Sequence, residues 1–468
     1  MQKCSIAEEI VRDLRALRIL ADEPVESAGD IIRNLSRIYH DVHERDLERF
    51  SVSDLIMLAP LVMEEFFALR MAIRDRVAEW HARGLMNREA QHAVRDTLRL
   101  LRYASDMAGE VHWGYAVATD TEPSLRAFSE TSYNTFVHHS FDTGTPIAFR
   151  SGDVLLVRGT KHNSAAIARI GDVDSQFSHA AIVYIDEEGR GWVVEALIEE
   201  GAVIKPLKQV LEHRLARAIL FRHPSEETAA RAAQLIHGFV KASLDAGSPI
   251  LYDFSMRLGP SKKLFCSKLV RIAFADASEG AVKLPTFHTR FNANAPFYKR
   301  IGMTASESFA PGDLEIEPLL HLVAEWQDYR FTAQIRHQDM IMSKLFEWME
   351  VYGWRFREDF RIRLIARLGR LSTHLSRSVQ DLVAGMFARI PPHMPRKTIA
   401  TIVMLQETAQ PLLQEIQHME RVRIAAEGRP LHPREVLEYL DDVREQSSGQ
   451  VGYLVAPARW RRTLAKSG

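Results

Sequence analysis

Lys262-Lys263-Leu264-Phe265-Cys266-Ser267-Lys268-Leu269-Val270 sets the reading of the whole chain. Apolar residues at 265, 269, 270, 273 and 274 predict a helix from Phe265 to Phe274, with Cys266 at its start. A helix N-terminus and three nearby lysines favour thiolate, the nucleophilic form of cysteine. A lone cysteine there is ordinarily a small buried residue, so its weight depends on partners. Two are available upstream. Gln176-Phe177-Ser178-His179-Ala180-Ala181-Ile182-Val183-Tyr184 puts His179 at the beginning of a strand, and Trp192-Val193-Val194-Glu195-Ala196 closes another strand on Glu195. Taken singly, each is an ordinary strand terminus. Together they supply a nucleophile, a base within reach of it and an acid to orient that base, and neighbouring strands can bring such ends side by side.

Working outward, further strands are expected at Val154-Leu155-Leu156-Val157 and Ala202-Val203-Ile204, with Gly189 and Gly201 supplying the reversals between antiparallel neighbours. Pro224-Ser225-Glu226-Glu227 opens a helix running to about Ala246. The middle of the chain is therefore α+β, with a small antiparallel sheet. Both flanks read as all-α. Ile6, Ile10, Leu14 and Leu17, then Ile31, Leu35 and Ile38, recur at helical spacing up to about Gly109, with Ser5 and Glu8 as a capping box and Pro24 and Pro60 marking breaks or first turns. After about Leu314 the helical period returns and persists to about Glu445. The expected division is a helical bundle over 1–125, the α+β domain over 126–310, a second bundle over 311–446 and a loosely ordered basic tail over 447–468 carrying Arg459-Trp460-Arg461-Arg462. Trp326, Phe331, Phe346, Trp348, Trp354 and Phe356 are too many large side chains for an exposed spacer, so the third region is expected to pack down as a wall or lid beside Cys266.

The middle domain resembles the YiiX/YebB-like cysteine hydrolases of the NlpC/P60 superfamily, whose papain-like fold is circularly permuted. Four blocks carry the resemblance over about 149–301, a third of the chain: Ser151-Gly152-Asp153-Val154, Phe177-Ser178-His179, Val194-Glu195-Ala196 and Phe265-Cys266-Ser267-Lys268-Leu269-Val270. Their order, His then Glu then Cys, is that of the permuted members. The resemblance implies a hydrolase that cleaves an amide, peptide or related acyl bond through a Cys266 thioester, with His179 as base and Glu195 as its orienter. Tyr252, in Leu251-Tyr252-Asp253-Phe254, matches a Tyr-Asp block before the Cys helix and becomes an accessory residue at the oxyanion, while Asp153, Ser178 and Lys268 are candidates for the substrate cleft. Lys268 departs from the family, which commonly has an acid two positions after the cysteine. Two other readings stay open: a lipid acyltransferase or thioesterase using the same Cys-His pair, and a non-catalytic helical adaptor with a degenerate papain-like domain.

Composition narrows the partners. With 60 Lys+Arg against 61 Asp+Glu in 468 residues and a net charge of −1, nothing nominates nucleic acid. Cys4 and Cys266 are too few for a disulfide framework and point to a reducing compartment. Glu8 and Glu9 follow the N-terminus closely, and the apolar run Leu55 to Val62 is short and interrupted by Pro60, so neither a leader nor a span is expected and the protein reads as cytoplasmic. His138-His139 and His162 lack a two-ligand helical spacing, so no metal or other cofactor is expected. Arg363, Arg367, Arg370, His374 and Arg377 share a helix face opposite Leu364, Leu368, Leu371 and Leu375; a solvated stripe is favoured over contact with an anionic membrane. The substrate is an unidentified peptide, amide or acyl lipid, and the helical regions leave a second copy of the chain as a further candidate partner.

Overall fold

A computed structural model describes residues 6–44, 52–121, 134–145, 147–212, 215–291, 295–372 and 394–457. The N-terminal part consists of helices α1 (Ile6–Asp22), α2 (Ala28–His43), α3 (Val52–Ala82) and α4 (Arg88–Ala118). Pro60 marks no break, because it lies inside α3. A proline cannot donate to the carbonyl four residues back, and that carbonyl, Ile56, instead accepts a 3.1 Å hydrogen bond from His112 Nδ1 of α4.

The central sheet is built from β1 (Asn134–Val137), β2 (Val154–Gly159), β3 (His179–Ile185), β4 (Gly191–Leu197), β5 (Gly201–Pro206), β6 (Leu215–Arg222) and β9 (His321–Gln327), in the order β1-β9-β6-β2-β3-β4-β5 with every pair antiparallel. Between and after these come α5 (His162–Ala168), α6 (Leu207–Glu212), α7 (Glu226–Asp245), α8 (Cys266–Ala277), the short strands β7 (Thr289–Arg290) and β8 (Glu307–Ser308), and α9 (Pro296–Ile301). The third region carries α10 (Tyr329–Glu350), β10 (Arg355–Phe356), α11 (Phe360–Ser372), α12 (Arg396–Glu427), α13 (Pro433–Gln446), β11 (Gln450–Val451) and β12 (Leu454–Val455).

Period-two alternation sorts the sheet's side chains. Val154, Leu156, Ala180, Ile182 and Val194 face α7 and α8 in a core that continues into the N-terminal helices through Leu69, Ile73 and Leu98. Leu155, Val157, Ala181, Val183 and Val193 face the other layer, with Leu207 and Leu211 of α6. Gly152 turns the chain into β2 at φ +89°, where a Cβ would sit 2.2 Å from the Ala229 carbonyl oxygen of α7. Only a glycine fits that approach.

Three expectations need correction. The helical period does not simply return after Leu314, because 321–327 is a strand of the sheet, paired between β1 and β6, and the sheet crosses the boundary drawn at 310. A bulge leaves Val323 out of register between Leu322↔Phe221 and Ala324↔Leu220, which breaks the alternation that marks a strand. Residues 450–455 are not loose tail. Val451 and Leu454 are buried, and the hairpin they form pairs with β10. In α11 the buried positions are Ile362 and Ala366, packed with Ile399 and Met404 of α12, whereas Leu364 is exposed along with Arg363 and Arg367. The side chain of Arg370, all of His374 and Arg377, Cys4 and the cluster Arg459–Arg462 lie outside the described residues.

Buried ion pairs fasten the helical parts to the sheet. Arg102 of α4 donates from Nε to Glu325 of β9 at 2.8 Å, and Arg70 of α3 pairs with the same carboxylate. Arg217 of β6 pairs with Asp106, and Arg158 of β2 donates to Asp339 of α10 at 2.8 Å. Trp326, Trp348 and Trp354 are fully buried, whereas Phe331 and Phe356 are half-buried. Among the described residues no helix is long and apolar enough to cross a membrane.

Candidate active site

Helix α8 begins at Cys266, preceded by Phe265 in an extended conformation (φ −114°, ψ 166°) with no side-chain cap. The first backbone N–H groups of the helix therefore have no capping acceptor from Phe265, and one of them, Ser267 N–H, hydrogen-bonds the Cys266 sulfur together with Ala180 N–H from β3. Cys266 is buried, with only 4% of its surface exposed.

His179 is the first residue of β3, opposite Val157 in the register. Glu195 stands opposite Ala181, two residues further along β3 on the same face, so it reaches His179 diagonally. Glu195 Oε2 accepts a 2.7 Å hydrogen bond from His179 Nε2. With Nε2 occupied, Nδ1 is left for the hydrogen bond that His179 makes with Cys266. The electrostatics follow. Burial pulls the imidazole pKa down, but the hydrogen bonds and charges of Cys266 and Glu195 outweigh it and push His179 up to about 10. Burial likewise disfavours the Cys266 anion, yet His179 and the two backbone N–H groups bring the thiol below its ordinary value. The resulting arrangement is a thiolate beside an imidazolium held by a carboxylate. Lys205, a residue the sequence reading passed over, places Nζ 3.9 Å from Glu195 Oε1 and 2.8 Å from Glu200. Its neighbour on β4 only emerges from the β4–β5 register, where Val193 and Lys205 are opposite.

Tyr252 is brought close by backbone pairing. It bridges to Leu264, and Asp253 N–H and Leu264 N–H exchange 3.0 Å bonds with the carbonyls of Leu264 and Leu251. Burial, then the charge on Cys266, hold the Tyr252 hydroxyl well above the usual phenol range, so it stays protonated as a donor. Of the three lysines expected to favour the thiolate, Lys262 and Lys263 are exposed and Lys268 has partners of its own. Lys268 is fully buried and donates to the Arg257 carbonyl at 2.9 Å, with Asp253 Oδ2 at 3.4 Å, so the acid of the Tyr-Asp block answers the cation that stands in the family's acidic position. Ser178 lies beside His179, buried, its N–H donated to the Val157 carbonyl at 2.9 Å.

Asp153 is not in the cleft. It sits at the other end of β2, beyond Val154↔Ile182, and both its oxygens are taken by Arg222 at 2.7 Å. It fastens β6 to the chain ahead of β2, a role that needs a buried acid as much as a cleft would. His138 bonds Asp75 at 2.9 Å and His162 bonds Gln410 at 2.9 Å, so the two histidines serve separate contacts. Among the described residues no group of three or more His, Cys, Asp or Glu could hold a metal ion.

A helix that opens on cysteine, laid against an antiparallel sheet whose histidine and glutamate precede it in the chain, defines a permuted papain-like domain. Among known families, residues 148–323 match the one described as permuted papain-like amidase enzyme, YaeF/YiiX, C92 family. No curated protein and no solved structure matches the chain.

Proposed function

We propose that the protein is a cysteine hydrolase of the amidase or peptidase class, acting through an acyl-enzyme on Cys266. The observation that carries this reading is the hydrogen-bonded chain Cys266–His179–Glu195 within the matched segment. The Cys266 sulfur attacks the acyl carbonyl carbon. Collapse of the adduct breaks the bond to the leaving nitrogen, which takes the proton held by His179, and a thioester remains. His179, now neutral, removes a proton from water; the hydroxide attacks the thioester, the carbon–sulfur bond breaks, and the acid product leaves with thiolate and imidazolium restored. In this reading the Tyr252 hydroxyl and the backbone N–H of Cys266 meet the developing oxyanion. Wider placement in the NlpC/P60 superfamily rests on the four motif blocks, and a cytoplasmic site on cysteine usage.

Transfer of the acyl group to an acceptor other than water is the second reading. The deep burial of Cys266 favours it, because a thioester there is shielded from bulk water. Replacing Cys266 by Ala tests the common core: turnover of an N-acyl p-nitroanilide and capture by an acyl-directed thiol probe should both vanish with the fold retained. Continued hydrolysis by the Ala variant would remove Cys266 as nucleophile.

A further inference from the structure

A cavity of about 680 Å³ is lined by Tyr252, Ile198 and residues of α5, α9, α11 and α12. Its volume is that of a small-molecule site, about 300–1,000 Å³. One side comes from the matched domain. The other is α12, which lies wholly outside the segment of family likeness. Phe254, Ile198 and Ile301 from the matched domain and Ile399, Ile402 and Leu405 of α12 are among its lining residues, and the space is predominantly apolar.

We propose that α12 is the substrate-selecting wall of the Cys266 site, and that the group it selects is a long aliphatic chain attached to the scissile carbonyl. The inference rests on the hydrolase reading above and adds its substrate class. Three features argue for an aliphatic chain. The wall is a helix and presents side chains with no free strand edge, so a peptide backbone finds no ladder to join. Four Lys, Arg or Glu residues line it, of which Arg361 and Glu407 pair at 3.2 Å and Lys161 and Glu199 are opposite in sign, so these four sum to no net charge for an ionic substrate group. Tyr252 lines the cavity, feels the charge on Cys266 and is fixed to the stretch just ahead of it by the Leu264 bridge, so Tyr252 is the link between the sulfur and the space into which the chain would lead.

The wall is also held in place. Gln410 of α12 bonds His162 at 2.9 Å, Thr401 receives Arg300 Nε at 3.0 Å, and Ile198 and Phe254 pack against the α11–α12 core. A rigid wall of this kind measures chain length. Each methylene that moves from water into it should improve kcat/KM by about fourfold until the cavity is full.

The test uses the full chain and p-nitrophenyl esters from acetyl to palmitoyl. Wild type should climb steeply with chain length and then level off. Ile402→Trp and Val403→Trp each put bulk into the cavity from half-buried positions. Both should cut kcat/KM for the dodecanoyl ester by about tenfold or more and move the optimum to shorter chains. The acetyl ester, too short to reach the wall, is the internal reference: the ratio of dodecanoyl to acetyl kcat/KM should fall by about tenfold or more. In a Cys266→Ala background a fluorescent long-chain fatty acid should bind, and either tryptophan should weaken it. A flat wild-type profile with Cys266-dependent turnover of the acetyl ester overturns the role of α12 and leaves the hydrolase standing. Failure of every ester to acylate Cys266 overturns the hydrolase reading itself.

Discussion

Glu195 Oε2 lies 2.7 Å from His179 Nε2 although its cross-strand partner is Ala181. The diagonal contact leaves Glu195 gripping the ring nitrogen that the sulfur does not use, so the imidazole is held in one orientation and its cationic form is stabilised where the thiolate needs it.

The first expectation is a pH profile. The thiolate–imidazolium pair persists from below the ordinary thiol value of 9.0, where the Cys266 proton is lost, up to about 10, where His179 gives up its own and leaves the thiolate beside a neutral imidazole. Iodoacetamide should therefore react rapidly across neutral pH. In His179→Ala the midpoint should move upward, and alkylation at pH 7 should slow with it. Glu195→Gln should fall between the two. Superimposable profiles for wild type and His179→Ala would break the pairing.

The His179 pair also links stability to pH. Because the folded-state pKa is raised from 6.5 to about 10, its contribution is complete below about 6.5 and is lost as pH rises through 10. Glu325 has the opposite sign. Burial opposes its ionisation, but Arg102 and Arg70 bring it down to about 2 from 4.5, so its contribution is present above about 4.5 and fades as pH falls toward 2. Glu325→Gln should cost about 3–5 kcal/mol at neutral pH, since it leaves buried guanidinium groups without their anion. Urea midpoints for wild type and variant should converge as the pH approaches 2.

Asp153→Asn should lower stability by ~3 kcal/mol through loss of the Arg222 pair and yet leave the alkylation rate of Cys266 unchanged. A changed alkylation rate in a folded protein would return Asp153 to the cleft.

A fragment of 149–301 lacks β9, so β6 would present an unpaired edge and Arg217 and Arg158 would lose Asp106 and Asp339. It should aggregate, whereas the full chain stays dispersed. A stable, monomeric, fully active fragment would make the helical flanks independent modules.

Cys266, His179 and Glu195 were legible as a candidate group because their chemistry is local: a cysteine at a helix start, a histidine at a strand start and an acid at a strand end announce themselves within short blocks. Lys268 and Asp153 were not, since what each does depends on Asp253 and Arg222, partners that only the fold brings up. Strand β9 escaped for two reasons. Its bulge at Val323 breaks the alternation, and its Glu325 and Gln327 resemble a solvated face, although the arginines that neutralise Glu325 lie in α3 and α4. Periodicity cannot see a partner that distant in the chain. The packing-down of the third region was legible from its aromatics, of which Trp326, Phe346, Trp348 and Trp354 are buried.

That separation has a consequence for synthesis. Arg70 and Arg102 wait for a carboxylate that is 255 and 223 residues downstream. At about 5–20 residues per second, the N-terminal helices leave the ribosome many seconds before Glu325 exists, carrying cations destined for a dry interior and apolar faces with no sheet to cover. Contacts so remote in the chain make closure slow. The nascent protein is thus exposed for most of its translation, and its yield in a cell should depend on holding chaperones far more than its folded stability would suggest.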